Sequence, residues 1–152
     1  MDLVDLQEDA APPCAGARLY VLATDEAGTR AALKTVVCRA ASSGRKVVIL
    51  VPSIVPSGVA LNGGAHDQPD VSAHYRRLAA LAGMNADVRI CRCRDATHIP
   101  SRLLLTHAEF VIGGHRGRWR CTSEEQLARQ IERQGHRVTF ADVDALRVRS
   151  GL

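Results

Sequence analysis

An α/β domain built on an all-parallel sheet, with helices on both faces, is the fold class this sequence predicts. Three observations point to it. Short β-branched runs alternate with segments whose apolar residues recur every three or four positions, which calls for parallel strands joined by helical crossovers. The chain has 152 residues, enough for one core but not for two. Hydrophobic residues make up 46% of it and aromatic residues only 3%. The core must then be assembled from Val, Leu, Ile and Ala, which suits strands covered on both faces.

Each element has its own signal. Leu19–Ala23 is an apolar run ending at Thr24 and Asp25, as a buried parallel strand ends. Leu33, Val36, Val37, Ala40 and Ala41 mark the first helix, and Gly44 follows as its closing residue. "KVVILVP" is the second strand, expected to stop at Pro52 because proline cannot donate to a ladder. Ser53 to Asp70 has no period and is rich in Pro, Gly, Asn and Ser, a long loop of the kind that is functional or mobile. Val71, Tyr75, Leu78 and Ala82 form a helix ended by Gly83, and "ADVRICRC" is the third strand. Pro100 opens a short helix carrying Leu103, Leu104 and Ala108. "EFVIGG" is the fourth strand. Thr122 and Glu125 give the T-x-x-E capping box of the last helix, whose buried face is Leu127, Ala128 and Ile131 and whose stop is Gly135. "HRVTFADV" is the fifth strand. The expected organisation is an acidic leader at 1–16, the domain at 17–143 and a tail at 144–152.

Charge narrows the function classes. The formal net charge of +4 is a mild bias, but it is local. Arg89, Arg92, Arg94, Arg102, Arg116, Arg118 and Arg120 face only Asp87, Asp95 and Glu109 over the same stretch. The first residues carry Asp2, Asp5, Glu8 and Asp9 and no long apolar run, so neither a signal peptide nor a membrane span is expected. Five cysteines, Cys14, Cys38, Cys91, Cys93 and Cys121, lack framework spacing. Free thiols in a reducing cytoplasm are expected, with no metal and no disulfide. Few aromatic rings make nucleic acid an unfavoured partner, because single-stranded recognition recruits stacking rings.

The stretch "VIGGHRGRWRCTSEE" concentrates the candidate chemistry. Two glycines end a strand, a basic loop follows, and a capped helix begins at Thr122. Free N–H groups at a helix N-terminus suit an anion, and arginines add bidentate donors. An anion-binding loop is the expectation. The plainer alternative is a turn whose glycines serve only the backbone and whose arginines cover the indole of Trp119. His115 with Cys121 could form a nucleophile–base pair, and Cys91, Cys93, His98, His115 and Cys121 could approach one sheet edge. No third orienting group and no paired-ligand spacing supports either idea. We find no enzyme signature.

With "VLATDEAGTRAAL" and "EFVIGGHRGR" placed, the chain resembles the universal stress protein family from about Ala17 to Val143. The resemblance implies a Rossmann-like three-layer sandwich of the adenine nucleotide alpha hydrolase type, with strand order 3-2-1-4-5. It also implies a nucleotide, ATP or AMP, over the carboxyl ends of strands one and four. Asp25 matches the family's acidic residue near adenine and ribose, and it can equally serve as an N-cap. Val51 matches a position lining the adenine. Gly114 and Gly117 match the first two glycines of the phosphate motif, while its downstream Gly-Ser or Gly-Thr is missing and Leu127 stands there instead. Phosphate recognition would then fall to Arg116, Arg118 and the N-terminus at Thr122. The expected function is non-catalytic binding or sensing of an adenine nucleotide or other phosphate in a stress response, in the cytoplasm and as a homodimer. The alternative is an interaction module that keeps the fold without the nucleotide.

Overall fold

The computed structural model describes residues 18–61 and 68–145. The expected leader, Cys14, the middle of the 53–70 loop and most of the expected tail lie outside the described residues. The elements run β1 (Arg18–Leu22), α1 (Glu26–Ser43), β2 (Lys46–Ile54), α2 (Pro69–Leu81) and β3 (Ala86–Cys93). A single 3-10 turn (Ala96–His98) then leads into α3 (Ile99–Arg102), followed by β4 (Glu109–Gly114), α4 (Ser123–Arg133) and β5 (Arg137–Asp142). All five strands are parallel, in the order β3-β2-β1-β4-β5, which is the expected order with β1 at the centre.

Alternation along the strands divides the core between the two faces. Leu19, Val21, Val47, Ile49 and Val111 join Ala32, Leu33 and Val36 of α1 and Leu78 and Ala79 of α2 in one buried cluster. Leu22, Val48, Leu50, Phe110 and Ile112 form the other, with Ile99 of α3 and Ala128 and Ile131 of α4. Each such aliphatic side chain contributes about 1.5–3 kcal/mol on burial, and β1 supplies residues to both clusters. Tyr20 and Phe110 pair in this core with ring centroids 5.5 Å apart, and Phe110 also meets the buried His136 ring edge-on at 5.3 Å. At the amino end of β4, Glu109 accepts from Arg39 (2.8 Å) and Arg45 (2.7 Å), tying the exit of α1 to the sheet.

Local chemistry fixes the ends. Gly44 closes α1 in the left-handed region at φ 69°, where it donates to Ala40 O, and Gly135 after α4 has φ 99°. Two expectations are corrected. β2 does not stop at Pro52 but pairs with β3 through Ile54. Ala23 N–H donates to Leu50 O, so the even-numbered backbone groups of β2 face β1. Pro52 is the next of these, beyond the last residue of β1, and its missing N–H costs no ladder bond. The helix opened by Pro100 is also shorter than expected. It ends at Arg102 because Leu104 (φ 56°) and His107 (φ 49°) turn left-handed, leaving Leu104 exposed. No helix among the described residues is long and apolar enough to cross a membrane.

Candidate functional site

The site is built where β1 and β4 end side by side. Asp25 caps α1: its Oδ1 accepts from Gly28 N–H at 2.7 Å. Thr24 donates its hydroxyl to Gly113 O at 2.8 Å, and its N–H goes to the buried Thr29 hydroxyl at 3.1 Å. The first turn of α1 therefore rests directly on the end of β4. A Cβ on Gly113 would stand 1.9 Å from Gly28 O, and one on Gly28 would stand 2.4 Å from Gly113 O. Two backbones meet here with no room for a methyl group on either.

Above this crossing lies an open cleft of about 810 Å³. Its floor is Ala23, Thr24 and Asp25 at the end of β1. One wall is Asp95, Ala96 and Thr97 after β3, and the other is α4 from Ser123 to Arg133. In an open sheet, the crevice outside the carboxyl ends of strands at the point where the order reverses is where ligands bind. In the order β3-β2-β1-β4-β5 that point lies between β1 and β4. The cleft is polarised. Asp25 and Glu124 line it at the end of β1 and the start of α4, while Arg129 and Arg133 line it from the later turns of α4. The end of α4 is tied to the Asp95–Thr97 wall by Gln134 Nε2–H donating to Thr97 O at 2.8 Å. At about 1.5 Å of rise per residue, the two arginines lie roughly 7 and 13 Å further along the helix than Glu124. Among the described residues neither arginine has a hydrogen-bond or ion-pair partner. Asp95 holds its proton less tightly than an ordinary aspartate, because the N–H and hydroxyl of Thr97 both donate to its carboxylate.

The basic loop beside the cleft is filled from within. Thr122 caps α4, its hydroxyl accepting from Glu125 N–H at 3.2 Å. Glu125 Oε1 accepts from Gly117 N–H (3.0 Å) and Thr122 N–H (2.9 Å), and its second oxygen pairs with Arg116 at 3.5 Å. The loop amide, the helix-start amide and the guanidinium that could hold a phosphate thus hold a carboxylate of the same chain. These donors depress the Glu125 pKa, the Gly117 N–H most and the Thr122 N–H next. A carboxyl group depressed in the folded state stabilises at neutral pH, and that contribution is lost as pH falls below about 4.3, the ordinary glutamate value. Glu125→Gln should therefore lower the melting temperature at pH 7 and flatten its decline between about pH 5 and 3. Melting curves of both proteins across that range check this, and parallel curves would refute the assignment.

Of the residues expected to bind a ligand, Asp25 lines the cleft, whereas Val51, Gly114, Arg116, Gly117, Arg118 and Thr122 do not. Val51 is buried among the residues under α1 and α2. Gly117 is packed against Arg120 O, 1.7 Å from where a Cβ would lie, while Gly114 faces the Glu124 side chain. The arginines do not cover Trp119, which is 93% exposed; Arg116 stacks instead over Phe140, 4.7 Å from the ring centroid. His115 points its Nδ1 to Asp144 (3.2 Å). Among the described residues Cys38, Cys91, Cys93 and Cys121 are free thiols, and no group of three or more His, Cys, Asp or Glu side chains is placed to hold a metal. Burial pushes the Cys91 thiol up to about 11, helped by Cys93 beside it, so it is not a nucleophile at neutral pH. Arg129 and Arg133 went unmarked in the sequence. A polar helix face reads the same whether it meets solvent or a cleft.

The fold defined by these elements is that of the universal stress proteins. A universal stress protein crystallised in complex with cAMP superposes with a TM-score of 0.58 at 14% identity, over 85% of this chain and 98% of that one. The universal stress protein from Archaeoglobus fulgidus gives 0.51 at 10% identity, over 81% and 91%. No protein-family model matches the sequence, and no curated protein matches it.

Proposed function

We propose that this chain is a divergent universal stress protein that binds an adenine nucleotide in the cleft above β1. It acts as a non-catalytic sensor of a cytoplasmic stress response, through a change in conformation or in homodimer assembly. The observation that carries this reading is the cleft itself, placed at the switch point between β1 and β4 and polarised from carboxylates to guanidiniums. A nucleotide has matching polarity. Its ribose hydroxyls can donate to Asp25 and Glu124, and its phosphate belongs with Arg129 and Arg133. A cAMP complex of a protein with the same fold supports the ligand class. The loop glycines and Arg116 take no part, because Glu125 already engages that site.

That engagement also favours a second reading, an interaction module that has kept the fold and closed its phosphate loop. Thermal-shift titration separates the two. ATP, AMP or cAMP at millimolar concentration should raise the melting temperature, since a ligand present at 100 times its Kd stabilises by about 2.7 kcal/mol. A flat response to all three nucleotides leaves the interaction module as the function.

A further inference from the structure

We infer that the turn Gly117–Arg120 is a contact site for single-stranded nucleic acid, with Trp119 as the stacking platform and Arg118 and Arg120 as the phosphate clamps. Trp119 is the chain's one tryptophan, and it stands 93% exposed. The turn that carries it is held from three sides. Thr122 donates its hydroxyl to His115 O at 2.8 Å, Gly117 N–H donates to Glu125, and the Gly117 backbone closes on Arg120 O. The indole is thus presented on a fixed tip, which reduces the ordering cost of using it.

Its neighbours set the chemistry of the partner. Arg118 and Arg120 are exposed, and among the described residues their side chains have no partner. The carboxylate that reaches into this loop, Glu125, is engaged by Gly117, Thr122 and Arg116, and Glu124 lines the cleft instead. An exposed aromatic ring whose sequence neighbours on both sides are exposed arginines suits an unpaired base with its backbone phosphates. A lipid surface fits less well, because no second large apolar side chain accompanies the indole on the tip and interfacial binding needs an apolar face. A protein hot spot would be ringed by apolar contacts that exclude water, and here the ring is cationic. Composition alone disfavoured nucleic acid because rings are few. The placement of this ring reverses that.

The single tryptophan makes the test direct. Emission of the full chain is titrated with 12-residue oligo(U) and oligo(dT), and with vesicles rich in phosphatidylserine as the competing partner. The expected result is saturable quenching by one or both oligonucleotides that weakens as salt rises. Anisotropy of a labelled oligonucleotide should show affinity falling tenfold or more in Trp119→Ala, with Trp119→Phe retaining most of it. Arg118→Ala with Arg120→Ala should make the salt dependence shallower. An absence of quenching, equal affinity in Trp119→Ala, or a blue shift with vesicles but no response to either oligonucleotide would overturn the inference.

Discussion

Replacing Gly113 by alanine is expected to cost about 3 kcal/mol or more, in the range of the severe overpacking substitutions. The added methyl would lie 1.9 Å from Gly28 O and 3.2 Å from Ala32 N. Both are backbone atoms of a helix that is itself anchored by the Asp25 cap and the Thr24–Gly113 hydrogen bond. Neither can swing aside as a side chain can, so α1 has to lift from β4. For a domain of this size the melting temperature should fall by about 10 °C. Two neighbouring glycines provide the contrast. Alanine at Gly114 meets Cβ and Cγ of Glu124, both at 2.6 Å; turning the side chain clears only the Cγ, so the start of α4 must shift, at a cost expected to be below that at Gly113. Alanine at Gly117 meets Arg120 O at 1.7 Å but lies in an exposed loop, so it should reshape the turn and leave the core intact. Thermal denaturation of the three variants checks this ranking, and a Gly113→Ala protein as stable as Gly114→Ala would refute the crossing.

The second large effect concerns the ligand. Arg129→Ala with Arg133→Ala should weaken AMP binding by at least ten- to a hundredfold, because each charge-assisted contact contributes about 1.5–3 kcal/mol. Adenosine, which has no phosphate, should bind the variant and the wild type alike. Both arginines are exposed and without partners, so the variant should melt as the wild type does. Calorimetric titration with AMP and adenosine separates the contributions of phosphate and nucleoside. Equal losses for both ligands would mean that the arginines shape the cleft without holding the phosphate.

Local signals in this chain were legible and tertiary ones were not. Gly44, Gly135, and Thr122 with Glu125 stop and start helices as their sequence context indicates, because caps depend on residues three or four apart. The strand order came from a family resemblance carried by "VLATDEAGTRAAL" and "EFVIGGHRGR", and the sheet has that order. Pro52 misled because its tolerance depends on β1 ending early, a fact of another strand. The pair of glycines at 113 and 114 announced a special backbone without saying what would approach it. Gly28, 85 residues away, is what meets Gly113. The loop arginines drew attention because charge clusters are visible in a sequence. That Glu125 reaches back to Gly117 as well as to its own cap is visible only in the fold.

The cleft as a nucleotide site is tested most directly by mapping backbone amide shifts of the ¹⁵N-labelled chain during titration with AMP. The account predicts saturable shifts at Thr24, Asp25, Ala96 and Thr97 and along Ser123–Arg133, the residues that bound the cleft. Shifts confined to the turn from His115 to Arg120, or none at millimolar AMP, would contradict it.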